Sequence, residues 1–266
     1  MEHLLTAFNP SWDSLYTNEL SNNTADPSDT GTVWFDDADA ERKVVAFLRS
    51  HDSLDPASAS VLDMGCGNGS LLFALRDVDE DDEEEEDEDE EGDDGKENRR
   101  RIPWTGRMLG VDYSPQSVAL AQQILQSTSS TTGSDNISFR EWDVLAGPLS
   151  TVLNGAQTAG WDVVHDKGTF DAISLSSDKD PQGRRISEGY RGRVLALLRK
   201  GGYFVITSCN WTEPELKSWF ESGSEEDKAD EGEKGGFVLD GRVEYRTFSF
   251  GGVKGQPVTT LCFRKL

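Results

Sequence analysis

Short apolar runs alternate with longer amphipathic stretches along most of this 266-residue chain. The apolar runs predict strands, and the stretches between them predict helices. Strands are expected at about 59–64, 106–112, 137–141, 161–165 and 203–207, and helices at about 38–50, 70–76, from Pro115 onward, 185–199 and 213–220. Two closing strands, at about 242–249 and 257–264, have no helix between them. The pattern therefore predicts an α/β fold with a mostly parallel sheet, helices on both faces and a C-terminal antiparallel hairpin.

Two stretches interrupt this pattern. Residues 77–97 hold seventeen acids and one lysine, so this segment carries −16 of the net charge of −24 and leaves −8 for the rest. A block of like charge cannot bury enough apolar surface to order itself. We therefore predict a disordered acidic insertion at about 77–101 and a loose loop at about 222–236. The remainder is a mildly acidic domain with no basic face, which argues against nucleic-acid binding.

The first 36 residues are polar, with scattered aromatic side chains. Such a segment cannot form a core of its own. We expect residues 1–36 to be an extension that packs on a single domain formed by residues 37–266. Trp34 and Phe35 are expected to close a pocket of that domain as part of a lid, and the alternative is simple packing on the back of the sheet.

A glycine-rich turn after the first predicted strand carries the most specific chemistry. The run Asp63-Met64-Gly65-Cys66-Gly67-Asn68-Gly69 joins that strand to a helix. Glycines let the backbone approach a ligand closely, and the helix turns free N–H groups toward it. The spacing G-x-G-x-G departs from the dinucleotide fingerprint G-x-G-x-x-G. With an acid two residues before Gly65, it instead resembles motif I of the S-adenosylmethionine-dependent methyltransferases.

Three acids end successive strands and are expected at one edge of the sheet. Asp112 is expected to hold the ribose hydroxyls, since Ser114 can cap the following helix in its place. Asp63 is expected to contact the cofactor directly or through water, or else to brace the loop. Asp143 is expected to accept from the adenine amino group, or else to be a plain turn residue. The predicted cofactor pocket contains Trp34, Asp63, Gly65, Cys66, Gly67, Asn68, Asp112, Tyr113, Asp143, Val144 and Asp166.

The acceptor side is expected at the ends of the fourth and fifth strands. Methyl transfer is an in-line displacement that needs alignment more than a strong acid or base. Asp166 is the candidate for orienting an acceptor amine, and a structural turn is the alternative. Asn210 is equally compatible with bonding a substrate and with capping the helix that begins near Glu213. His165, inside an apolar strand, is expected to be buried and satisfied rather than catalytic.

The three cysteines have neither metal-ligand nor disulfide spacing, which suits a reducing compartment. No metal site is predicted. The sequence shows no signal peptide and no stretch of about 20 apolar residues that could span a bilayer. We expect a soluble intracellular protein, cytoplasmic and also nuclear, that acts as a monomer without nucleic acid or membrane.

Several longer segments together resemble one family. They are 29–35, the glycine turn, 110–115, Asp166-Lys167-Gly168-Thr169-Phe170-Asp171, Ser208-Cys209-Asn210-Trp211-Thr212 and 248–252. These are similar to segments of the eukaryotic protein-lysine methyltransferases that modify translation elongation factor 1-alpha, in particular the fungal elongation factor methyltransferase 4 group. The resemblance implies a Rossmann-like seven-stranded fold, S-adenosyl-L-methionine as cofactor and a lysine of the elongation factor as acceptor.

Two other classes of function are less well supported by the sequence. A methyltransferase-like domain could act as a binding protein that docks basic partners through its acidic run, although such runs are more often simply solvated. An NAD-dependent oxidoreductase is disfavoured by the glycine spacing and by the lack of a convincing acid/base pair for hydride transfer.

Overall fold

The computed structural model describes residues 10–77, 102–128, 136–180, 182–221, 235–250 and 253–266. The acidic insertion predicted at 77–101 and the loose loop predicted at 222–236 lie almost entirely outside these residues. In chain order the elements are helices and strands α1 (Pro10–Ala25), α2 (Ala40–Ser50), β1 (Val61–Met64), α3 (Ser70–Arg76), β2 (Met108–Asp112), α4 (Pro115–Thr128), β3 (Ile137–Glu141), β4 (Trp161–Lys167), α5 (Thr169–Ser174), α6 (Tyr190–Leu197), β5 (Leu198–Ser208), α7 (Glu213–Phe220), β6 (Phe237–Val243), β7 (Phe248–Phe250), β8 (Val253–Gly255) and β9 (Thr259–Lys265).

One seven-stranded sheet organises the described part of the chain. Its strand order is β3-β2-β1-β4-β5-β9-β6. The first five strands of that order are parallel, whereas β9 runs antiparallel to both β5 and β6. The predicted fold class, a mostly parallel sheet with a C-terminal antiparallel hairpin and helices on both faces, is confirmed. The chain moves outward from β1 to β3 and then returns to β4 on the other side of β1, which opens a crevice at the carboxyl ends of β1 and β4.

Two apolar cores cover the two faces of the sheet. One contains side chains from β1 and β4 together with α5, α6 and α7, among them the buried Phe170 and Tyr190. The other packs α2, α3 and α4 on the opposite face, around Val163 and Val205. Parallel strands that are covered on both sides read as near-continuous apolar runs. This burial on both faces explains why the central strands were visible in the sequence.

Three predicted elements need correction. The helix predicted at 185–199 begins as a 3₁₀ turn at Ile186–Gly189, continues as α6 and ends at Leu197, because residues from Leu198 onward pair with β4. The strand predicted at 203–207 is therefore the later part of a longer β5. The strand predicted at 242–249 is wrong in its bounds, since β6 pairs with β9 from Phe237 to Val243. Residues 248–250 belong to a separate two-stranded ribbon formed by β7 and β8.

Helix α1 was not predicted as a helix. Its buried positions include Tyr16, Glu19 and Asn23, two of which are polar, so the sequence lacks a clear apolar stripe. The helix packs beside α4, where Tyr16 joins Leu120 and Ile124 in a small core. Among the described helices, none has both the length and the apolar character that a bilayer-spanning segment requires.

Candidate active site

The glycine turn after β1 is packed tightly on both sides. Gly65, Gly67 and Gly69 have φ values of 67°, 54° and 83°, in the left-handed region that favours glycine. A Cβ on Gly65 would lie 2.0 Å from Thr169 Oγ1, and one on Gly67 would lie 2.8 Å from the Tyr16 hydroxyl. The turn therefore has room for glycine alone at these positions, as its sequence suggested.

Asp63, two residues before Gly65, is paired inside the protein. Its Oδ1 lies 2.7 Å from His165 Nδ1, and both residues are almost completely shielded from solvent. His165 is buried, as expected, but its Nε2 has no hydrogen-bond partner within the described residues. The expectation that it is fully satisfied therefore holds for one ring nitrogen only. The pair gives Asp63 a bracing role, and its predicted contact with the cofactor stays a prediction.

Asp112 ends β2 and is hydrogen-bonded to the glycine turn. Its Oδ2 accepts a hydrogen bond from Gly67 N at 3.2 Å, and its Oδ1 accepts one from Ser114 N at 2.9 Å. Burial raises the pKa of this carboxyl to about 6, although the two backbone hydrogen bonds lower it. We had expected Asp112 to be free of local hydrogen bonds, but Ser114 N donates to its carboxylate. The predicted role of Asp112 toward the ribose hydroxyls stays a prediction.

Asp143 offers a buried acceptor at the third strand end. Its Oδ1 accepts from the backbone N–H groups of Leu145 and Ala146, at 2.8 and 3.2 Å. Its Oδ2 is buried without a partner in the described part of the chain. Buried acceptors are rarely left unpaired, so this oxygen marks a place for an external donor. The adjacent Val144, also predicted for the pocket, is buried.

Asp166 turns inward from the end of β4. Its carboxylate accepts hydrogen bonds from Thr169 N at 2.9 Å and Phe170 N at 3.0 Å, which caps the start of α5. The Tyr190 hydroxyl donates to the same carboxylate in the core. Burial raises the pKa of Asp166 to about 8. The side chain is fully buried, so the geometry favours the structural alternative, and its predicted role toward an acceptor amine stays a prediction.

Asp171 is a site residue that the sequence analysis passed over. Its Oδ1 accepts from the Ser208 hydroxyl and its Oδ2 accepts from Cys209 N at 2.9 Å. The two acids of the segment 166–171 thus tie α5 to the ends of β4 and β5. The repetition of aspartate on either side of a Gly-Thr pair was the available signal.

Asn210 lies in an open cleft of about 320 Å³ at the carboxyl end of β5. The cleft is lined by residues 208–213, Thr247 and residues 255–259. Thr212, not Asn210, occupies the N-cap of α7: its hydroxyl and backbone N–H both contact Glu215 Oε2, at 2.6 and 2.8 Å. The capping alternative for Asn210 is therefore wrong, and its exposed side chain remains a candidate for contact with a substrate.

The segment before α2 closes over the glycine turn. Asn68 Nδ2 donates to the Thr30 carbonyl at 2.9 Å. A Cβ on Gly168 would lie 3.3 Å from the Phe35 ring, so Phe35 covers the turn that follows β4. Trp34 is 40% exposed and meets the Trp12 ring edge-on, with 4.9 Å between centroids. Phe35 also has a φ of 65°, which is unusual for a bulky side chain and marks a constrained turn.

One group of potential metal donors lies elsewhere in the fold. His51, Asp240 and Cys262 bring a nitrogen, a carboxylate oxygen and a sulfur within 4.8 Å of one another. Asp240 already pairs with His51 at 3.0 Å and with Arg264 at 3.4 Å. The Asp240 carboxylate thus already has partners in His51 and Arg264.

Comparison with known proteins gives a consistent result. Residues 56–237 match a family described as a methyltransferase domain. The chain is 35% identical over 257 residues to protein-lysine N-methyltransferase EFM4 of Saccharomyces cerevisiae, covering 96% of this chain and 92% of that protein. It is 32% identical over 255 residues to human EEF1A lysine methyltransferase 2, covering 96% and 84%.

A solved structure extends the likeness to the fold. The N-methyltransferase NodS of Bradyrhizobium japonicum, in complex with S-adenosyl-L-homocysteine, superposes with a TM-score of 0.50. It is 15% identical, and the alignment covers 95% of this chain and 97% of NodS. At that identity the likeness concerns the fold alone.

Proposed function

This chain belongs to the family of protein-lysine N-methyltransferases that includes EFM4 and EEF1A lysine methyltransferase 2, and on that premise we propose that it transfers a methyl group from S-adenosyl-L-methionine to a lysine of translation elongation factor 1-alpha. The observation that carries the proposal is the similarity over 96% of the chain to relatives named for this activity. That span includes both the glycine turn and the acceptor side of the crevice.

The pocket offers what this cofactor would need. The glycine turn adopts left-handed φ values, and Asp112 accepts a hydrogen bond from its Gly67 N–H. The unpaired Oδ2 of Asp143 suits the amino group of an adenine. These acceptors support the assignment of Asp112 to the ribose and Asp143 to the base, with Gly65, Gly67 and Asn68 forming the cradle. When bound, the cofactor supplies an electrophilic methyl group on a sulfonium.

The residues of the chain contribute position rather than acid/base strength. Thr169 Oγ1 donates to the Met64 carbonyl at 2.9 Å, which fixes the turn after β4 against the glycine turn. Asp171 fixes the same turn to the end of β5 through Ser208 and Cys209. A lysine amine that enters beside Asn210 would thus meet the turn after β4, which these hydrogen bonds hold in place. Rigid alignment suits a displacement in which the amine forms a bond to carbon as the carbon–sulfur bond breaks.

The proposal is tested by incubating purified elongation factor 1-alpha with the full-length protein and labelled cofactor, followed by mass-spectrometric mapping of the modified site. We expect label on a lysine of the factor, and none when that lysine is replaced by arginine. Label that remains after the replacement, or no transfer by a protein that binds the cofactor, would contradict the assignment of the substrate.

We further propose that the protein acts as a cytoplasmic and nuclear monomer that needs neither nucleic acid nor membrane. The acidic charge outside the insertion supports the first exclusion. Light scattering of the purified protein tests the oligomeric state. Fluorescence microscopy of a tagged chain tests the location.

A further inference from the structure

The inner face of α1 is polar, which is unusual for a helix packed on a domain. Glu19 and Asn23 are both less than 10% exposed. Asn23 Nδ2 donates to the Asp29 carbonyl at 2.9 Å, and Glu19 Oε1 accepts from Thr32 N at 3.0 Å. These bonds hold the segment 29–32 beside α1 and pair Asn23 and one oxygen of Glu19, whereas Glu19 Oε2 has no partner among the described residues.

Within the described residues, Asp13 carries an unpaired acceptor on α1, as Glu19 does through its Oε2. The Asp13 Oδ1 is buried and has no hydrogen-bond partner among the residues that the structure describes. An unpaired buried carboxylate oxygen is costly unless some donor reaches it. Asp13 lies in the first turn of α1. Glu19 and Asn23, which bond to residues 29–32, lie in later turns of the same helix.

Tyr113 lies close enough to Asp13 for the two groups to interact electrostatically. Burial raises the pKa of the Tyr113 phenol, and the nearby charges of Asp13 and Asp112 raise it further. The Tyr113 hydroxyl is also buried without a partner among the described residues. Tyr113 directly follows Asp112, the acid assigned to the ribose. One unpaired polar group on α1 and another just after β2 are therefore coupled electrostatically, next to the acid assigned to the ribose.

Tyr16 shows that α1 reaches over the glycine turn as well. Its hydroxyl occupies the space that a Cβ on Gly67 would need. Burial raises the pKa of the Tyr16 phenol, and electrostatic interactions with Asp112 and Cys66 raise it further. Helix α1 thus lies against the glycine turn, and Asp13, three residues before Tyr16, lies on the same side of the helix with an acceptor that is unpaired within the described residues.

We propose that Asp13 is a cofactor-binding residue whose carboxylate accepts a hydrogen bond from the adenosine part of S-adenosyl-L-methionine, so that α1 closes on the nucleoside. The inference rests on the proposed function. The donors that a nucleoside presents are ribose hydroxyls and the adenine amino group, and both are neutral. A carboxylate with one free oxygen pairs with such a donor without requiring a counter-ion.

Calorimetry with two probes tests the contact. S-adenosyl-L-homocysteine carries the whole product, whereas 5′-methylthioadenosine keeps the adenosine and lacks the amino acid. Asp13→Ala is expected to weaken both by about ten- to a hundred-fold, as the loss of a hydrogen bond to a charged group predicts. Asp13→Asn, which keeps one acceptor oxygen, is expected to lose less. Asn18→Ala, on the exposed face of the same helix, is the matched control and is expected to bind as the wild type does.

The possible results distinguish the role of Asp13 from the proposed function of the protein. Equal affinity of wild type and Asp13→Ala for both probes would overturn the role of Asp13, as would a loss confined to S-adenosyl-L-homocysteine. A wild-type protein that binds neither probe would instead refute the proposed function. Amide hydrogen exchange in the wild type needs no variant: protection of residues 10–25 on adding 5′-methylthioadenosine is expected, and unchanged exchange would contradict closure of α1.

Discussion

The backbone N–H of Trp104 donates to the carbonyl oxygen of Leu75, and the two atoms are 2.9 Å apart. Both residues are completely buried, and the Trp104 indole also donates to the Ala59 carbonyl at 2.6 Å. The end of α3 and the segment that begins at residue 102 are therefore held side by side. We expect the length of the acidic sequence between them to have little effect on the sheet.

Deleting residues 79–94 should accordingly leave the melting temperature and the cofactor affinity close to those of the full chain. The removed residues carry one sign of charge almost throughout, and self-repulsion opposes compaction. Thermal unfolding and calorimetry measure the two quantities. Trp104→Ala, which removes the anchor itself, should cost about 3–5 kcal/mol and serves as the contrast. A large fall in melting temperature on deletion would show that the segment is structural.

Asp112→Ala should weaken cofactor binding by about ten- to a hundred-fold, since a hydrogen bond to a charged group contributes about 1.5–3 kcal/mol. The variant should stay folded, because the sheet pairing of β2 does not depend on this side chain. Titration calorimetry measures the affinity, and circular dichroism checks the fold. An unchanged dissociation constant in a folded variant would remove the ribose assignment.

Gly65→Ala should destabilise the protein more than Gly183→Ala does. Both glycines have left-handed φ values, 67° and 83°, so both variants carry the conformational cost of about 1–2 kcal/mol. A Cβ on Gly65 would also collide with Thr169, whereas one on Gly183 meets nothing within 4 Å. Denaturant unfolding of both variants isolates the collision. Equal losses of stability would mean that the turns after β1 and β4 are not tightly packed together.

Asp166 should make stability depend on pH in a defined direction. Its pKa is about 8 in the folded protein, above its value of about 3.9 in an unfolded chain. Between these values the folded state holds a proton that the unfolded state has released, so stability should fall as pH rises from about 4 to about 8.

Asp166→Asn removes that ionisation and should flatten this part of the pH profile. Urea unfolding at several pH values between 5 and 8 measures the slope. Asp36→Asn, at an exposed position, should leave the slope as it is in the wild type. A slope for Asp166→Asn identical to that of the wild type would show that the carboxyl ionises normally.

Removal of residues 1–36 should give a folded protein that binds the cofactor weakly and transfers little methyl group. The truncation deletes the Thr30 carbonyl bonded by Asn68 and the Phe35 ring over Gly168. Lids of this kind exclude water from transfer chemistry. Phe35→Ala isolates the second contact within the full chain. Methylation at the full rate by the truncated protein would support the alternative, in which the segment merely packs on the domain.

The sequence predicted best where structure is local. Helix α3 begins at Ser70 and β3 spans Ile137–Glu141, as expected, because a glycine turn and an apolar strand need no distant information. The glycine turn and the acid at the end of β2 were found for the same reason.

Features set by distant partners were missed. The change from α6 to β5 after Leu197 depends on pairing with β4, and the bounds of β6 depend on pairing with β9. Helix α1 was not predicted because its inner face combines a small apolar contact through Tyr16 with polar side chains that bond to the backbone of residues 29–32. The inward direction of Asp166 likewise depends on Tyr190, which lies on another element.

The position of β9 also has a consequence for biosynthesis. β6 precedes β9 in the chain, yet β9 lies between β5 and β6 in the sheet. As the polypeptide emerges from the ribosome, β5 and β6 both wait with an unpaired edge until residues 259–265 have been made. Exposed strand edges are templates for association with other chains. A message cut short just before Thr259 would therefore yield a product prone to aggregation, even though every residue of the glycine turn and the cofactor crevice had already been translated.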